Sequence, residues 1–270
     1  MSGKVNITML KVITAVTFLV MVIVNALANA LPLNGITTGA VSDSYPNLFA
    51  PAGLTFAIWG VIYLFLAMYT VYQFELFGVV KNPEVGSLMS RIGIFYSISS
   101  VANTVWIFAW HFKQIQFSMF LMAIILICLI VINMMTRNKE FSNIEKIFIR
   151  IPFSVYFGWI TVATIANATT LLVSLEPKDY GLPESVWAII ILLVGMLIGC
   201  AAMIVNKDIA YGLVLIWAYF GILIKHVSSS GFAGRYLSVI TVVVICIVLF
   251  IVAELYTLVS ILKKKKIFKG

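Results

Sequence analysis

Apolar positions along the chain gather into eight long runs separated by short polar segments, at roughly residues 11–31, 51–74, 91–111, 116–135, 149–174, 184–205, 209–226 and 237–262. Each run is about the length that an α-helix needs to cross the hydrocarbon layer of a bilayer. The pattern predicts an all-α polytopic membrane protein with about eight transmembrane helices. The segment EPKDYGLPE, Glu176–Glu184, has two prolines and a glycine and is the clearest break in the chain. It divides residues 1–175, with five spans, from residues 176–270, with three spans and a lysine-rich tail. The linker from Pro32 to Ala50, rich in Gly, Asn, Ser and Pro, reads either as a lid over the bundle mouth or as a plain surface connection. Ser142 and Asn143 are candidate helix caps ahead of the fifth span.

Composition strengthens this picture. Of 270 residues, 62% are hydrophobic and 10% charged, against about 25% charged in a soluble domain. The net charge of +8 does not indicate a nucleic-acid partner, because its source is the loops and the tail. With the N-terminus inside, 14 of the 18 Lys and Arg fall on the inner side. That asymmetry predicts both termini in the cytoplasm, in a cell membrane, since no organelle-targeting segment is visible. Ala28-Asn-Ala30 imitates a signal-peptide cleavage site, but the apolar run before it is too long and Pro32 follows directly, so the first run reads as a retained span. Cys128, Cys200 and Cys246 lie apart in apolar runs and have neither disulfide nor metal spacing.

Candidate chemistry lies in the polar and aromatic positions inside the spans. Phe56, Trp59 and Tyr63 follow i, i+3, i+7 in the second span, and Asn103, Trp106 and Trp110 do so in the third. In the fifth, Tyr156, Trp159, Ala163 and Asn167 share a face, and Asn25 and Asn29 lie one turn apart in the first. An amide in hydrocarbon has to find a partner, so these asparagines should point inward. Two readings fit. The amides can bond between helices and hold the bundle together, or they can orient polar groups of a ligand. Likewise, Trp59 and Trp159 lie too deep for interfacial anchors, and either pack the core or face a flat apolar guest.

These residues resemble a known family. Trp59-Gly60-x-x-Tyr63 after a proline-bearing loop is similar to the second helix of the translocator proteins, also called tryptophan-rich sensory proteins or peripheral benzodiazepine receptors. Asn103-x-x-Trp106 looks like the third helix, and Tyr156-x-x-Trp159-x-x-x-Ala163-Thr164-x-x-Asn167 like the fifth. The resemblance covers about residues 10–175 and implies a five-helix bundle around a cavity for tetrapyrroles, sterols and synthetic aromatic ligands. The linker here is poorer in tryptophan than the family's. Val155 stands where the family has proline, with Pro152 a turn away, and residues 176–270 have no counterpart in the five-helix members.

On this basis the expected function is membrane-embedded sensing or binding of a flat hydrophobic molecule, a porphyrin-type tetrapyrrole or a sterol-like compound, with no obligatory cofactor. Glu254, a carboxyl inside the last span, raises the alternative of a small proton-coupled transporter. A light-dependent tetrapyrrole-degrading enzyme is a third class, although the sequence shows no Ser-His-Asp, HExxH, P-loop or GxGxxG arrangement. Gly195-x-x-x-Gly199 suits close helix contact within the bundle or in a homodimer. His111 and His226, at span ends, read as solvated side chains rather than haem ligands.

Overall fold

The computed structural model describes residues 7–31, 33–74, 83–175 and 182–267. The lysine-bearing N-terminus, most of the loop around Lys81 and most of the 176–184 break lie outside these residues. Eight long helices follow in order: α1 Ile7–Ala30, α2 Ile58–Tyr72, α3 Pro83–His111, α4 Ile115–Thr136, α5 Ile151–Ser174, α6 Glu184–Asn206, α7 Ile209–Val227 and α8 Leu237–Ile267. Among the described residues there is no strand, and eight helical segments are long and apolar enough to cross a membrane. The molecule is therefore an all-α, multi-pass membrane protein. Two compact units divide the chain: residues 1–41 with 59–157, and residues 42–58 with 158–270.

In the first unit, α1 turns mostly apolar side chains outward, unlike a water-soluble helix. Its exposed positions include Ile7, Met9, Val12, Val16, Leu19 and Ile23, all apolar, whereas its buried stripe includes Thr14 and Asn25. That is the distribution expected of a helix whose outer solvent is hydrocarbon. The stripe closes on α3. A Cβ on Gly93 would lie 3.1 Å from Thr14 Oγ1, so the glycine lets the helices approach closely. Thr14 Oγ1 and Ser97 Oγ are 3.2 Å apart. Deeper in the unit, Tyr69, Tyr96 and Phe153 meet edge to face with centroids 4.8–5.6 Å apart, and the Tyr69 hydroxyl donates to the Met89 carbonyl at 3.2 Å.

Local chemistry sets several helix ends. Ser142 and Glu145 form a reciprocal capping box, with Ser142 N donating to Glu145 Oε2 at 2.7 Å and Glu145 N to Ser142 Oγ at 3.2 Å. The chain then passes through a π-helical turn, Lys146–Arg150, in which Ile151 N donates to Lys146 O. Pro152 follows at once. It has no N–H, and its ring would crowd the carbonyl four residues back, so a widened turn at this point is the expected accommodation. α3 starts eight residues before its apolar run. Pro83 opens it and Glu84 lies in its first turn, both favourable at a helix N-terminus. Arg91 is therefore part of a helix rather than of a loop.

Glycines set the packing of the second unit. A Cβ on Gly195 would stand 2.7 Å from the Tyr219 hydroxyl, and one on Gly199 would stand 2.5 Å from Leu215 Cδ1 and 2.9 Å from Phe250 Cε1. The Gly195-x-x-x-Gly199 face thus makes close contacts inside this unit. Between α6 and α7 the chain reverses at Lys207, in the left-handed region (φ 50°). Asp208 then caps α7, accepting from Tyr211 N at 3.2 Å.

Candidate functional site

The site residues predicted from sequence fall into two groups. Trp59, Tyr63, Asn103, Trp106, Trp110 and Tyr156 belong to the first unit, and Phe56, Trp159, Ala163 and Asn167 to the second. The second-span stripe is not one α-helical face. Pro51 and Gly53 delay the helix, and Phe56 lies in a 3-10 segment, Gly53–Ala57, so its ring does not continue the line of Trp59 and Tyr63. Phe56 instead meets Trp159 edge to face, centroids 5.9 Å apart. Trp159 and Asn167 are buried on α5, and Ala163 between them is partly exposed.

In the first unit, polar and aromatic residues converge. Asn25 Nδ2 donates to Asn103 Oδ1 at 2.9 Å, and Asn103 Nδ2 donates to the Tyr156 hydroxyl at 3.3 Å. This relay joins α1, α3 and the start of α5 through groups that are all buried. The interhelical reading of these two asparagines is therefore realised, whereas Asn29, expected to point inward with them, is exposed and donates to the Asn25 carbonyl of its own helix at 2.9 Å. Against the relay stands an aromatic wall. The Trp59 indole stacks on Tyr63 at 5.5 Å and meets Tyr156 edge to face at 6.1 Å. The Tyr63 hydroxyl is enclosed, and no hydrogen-bond partner for it occurs among the described residues. A buried hydroxyl in that state is costly unless something else completes it.

Further along α3, Trp106 and Trp110 stack at 5.5 Å. Trp110 Nε1 donates to the Thr38 carbonyl at 3.1 Å, which ties the indole to the short helix Thr38–Asp43. His111 completes the tie. Its Nδ1 lies 3.1 Å from the Leu33 carbonyl and its Nε2 3.0 Å from Thr38 Oγ1. A carbonyl only accepts, so Nδ1 is the donor to Leu33, while Nε2 shares a second hydrogen bond with the threonine hydroxyl. The solvated histidine expected here is in fact fully buried, as is His226, whose Nε2 donates to the Leu48 carbonyl at 2.9 Å. The carbonyls of Leu33 and Leu48, both in the linker between α1 and α2, each accept from one of these rings. Sequence spacing gives no signal of these contacts.

His111→Ala removes both side-chain ties to 33–38. Amide exchange over residues 33–41 is expected to rise about tenfold or more, corresponding to one or two hydrogen bonds of about 1 kcal/mol each; hydrogen–deuterium exchange read by mass spectrometry checks it.

The fold and this interior define a class: a multi-pass helical membrane protein in which aromatic rings face a buried amide relay. The TSPO-like protein family model matches residues 11–256, and the chain belongs to that family. The match runs through α6 and α7 and most of α8, so the last three spans fall within it as well as the first five. No curated protein and no solved structure matches the chain. Membership makes this a membrane sensory or binding protein in general terms.

Proposed function

We propose that the first unit binds a flat hydrophobic molecule of the porphyrin type against Trp59 and Tyr63, with the relay Asn25–Asn103–Tyr156 behind them. The observation that carries this reading is the enclosed Tyr63 hydroxyl beside a stacked indole. The pair offers an apolar π surface and one uncommitted hydrogen bond, the combination that orients an aromatic ligand with polar substituents. A sterol-like molecule, with one hydroxyl on a rigid apolar body, is the competing occupant. In this reading the protein acts in a cell membrane with both termini on the cytoplasmic side, an orientation that the lysine and arginine distribution supports.

Titrating protoporphyrin into the purified protein in nanodiscs should quench tryptophan emission saturably. Tyr63→Phe should weaken binding about threefold to tenfold, the worth of one hydrogen bond. Trp59→Ala should weaken it about tenfold, from the lost ring contact. Wild-type affinity in both variants would exclude this site, and displacement of the porphyrin by cholesterol would favour the sterol.

A further inference from the structure

The second unit holds a carboxyl that the aromatic cluster does not explain. Glu254 lies inside α8, and both of its carboxyl oxygens are enclosed with no hydrogen-bond partner among the described residues. Its Oε2 rests against the backbone of Gly212 on α7, where a Cβ would collide with it, and the Met203 thioether closes the same notch, 2.8–2.9 Å from that Cβ position. Gly212 is thus the residue that makes room for the carboxyl. The two helices in principal contact with α8 are α6 and α7. From α7 the charged group acting on Glu254 is Asp208, a like charge already committed to capping its own helix. α6 carries Cys200 and is followed by Lys207, and on α8 itself Cys246 lies two turns before and Lys263 more than two turns after.

A carboxylate cannot stay in such a notch. It would give up its hydration, gain no donor in return and face a second negative charge. The acid form needs none of these, because its charge is gone and only one O–H has to be accommodated. From this geometry we propose that Glu254 is a proton-binding site in the membrane interior: the carboxyl occupies the Gly212 notch as the neutral acid and releases its proton when it leaves the notch. The site is independent of the ligand cluster, since no residue of that cluster takes part in it. It gives the transporter reading a specific proton-binding group.

Dicyclohexylcarbodiimide, an apolar reagent that adds the O–H of a protonated carboxyl across its C=N bond, tests the proposal. The full chain in nanodiscs is treated over a range of pH and digested, and the modified peptides are read by mass spectrometry. The expected result is modification at Glu254 at neutral pH, with a water-soluble carbodiimide failing to react there. The yield should fall about tenfold per pH unit once the acid ionises. Glu254→Gln should abolish it, and Glu254→Asp, one methylene shorter and withdrawn from the notch, should cut it at least severalfold. Equal reaction with both reagents, or no reaction at Glu254 in protein that still shows its normal thermal unfolding, would overturn the proposal. Glu254→Asp reacting as wild type would overturn the role of the notch.

Discussion

Gly221→Ala is expected to destabilise the second unit strongly. A Cβ at Gly221 would overlap Thr55, meeting Oγ1 first and lying 2.6 Å from Cγ2 and 2.8 Å from Cβ. Thr55 cannot move aside. It is buried in the 3-10 segment, its carbonyl accepts from Trp217 Nε1 at 3.0 Å, and nearby Ala52 N donates to the Gly221 carbonyl at 3.0 Å. The collision is therefore with a β-branched side chain on backbone fixed at both ends. Forced overpacking of this kind costs about 1–3 kcal/mol or more, which for a chain of this size lowers Tm by about 3–10 °C. Adding Thr55→Gly in the same chain removes the obstacle and should recover most of the loss. A double variant no more stable than Gly221→Ala alone would show that the contact is not the cause.

Asn103→Leu is the second large effect, and it falls on the first unit. The substitution takes from Asn25 Nδ2 one of its two acceptors, leaving it the Met21 carbonyl, and leaves the buried Tyr156 hydroxyl without its donor. Each stranded group costs about 1–3 kcal/mol, although membrane bundles recover part of this by finding other partners. The expected outcome is a loss of about 2–4 kcal/mol on unfolding in detergent. Asn25→Leu together with Asn103→Leu should lose less than the two single changes summed, because the bond between the two amides is lost in each single change and only once in the pair. Strict additivity would mean that the two amides do not communicate.

Hydrophobic run length located all eight helices, because in lipid each span must satisfy its own backbone and the signal is correspondingly strong. It failed where the helix and the apolar run part company. α3 continues through Glu84, Ser87, Ser90 and Arg91, residues that look like loop to any hydropathy reading yet suit a helix standing out of the membrane. Phe56 was misplaced for the opposite reason: its run is apolar, but Pro51 and Gly53 keep its backbone out of the α-helix. The i, i+3, i+7 reading brought Asn103 and Trp106 to the interior, and α5 buries Tyr156, Trp159 and Asn167 as its spacing predicts. Pairwise contacts across helices were not legible. Nothing in the spacing of Asn25 and Asn103, or of Glu254 and Gly212, says that they meet, because that depends on the order and rotation of helices rather than on any one of them.

α3 has 29 residues, which at 1.5 Å per residue makes a rod about 43 Å long, well over the roughly 30 Å of a hydrocarbon layer. The surplus falls at the end carrying Glu84, where an ion pair joins it to Lys139 at 3.6 Å. How far that end stands in water is then set by the lipid: a thinner film leaves more of it wet, and a thicker one draws it toward the headgroups or tilts the helix. The wetting of this end, beside a cleft between Lys11, Gln73 and Ser90, thus follows the thickness of the surrounding membrane.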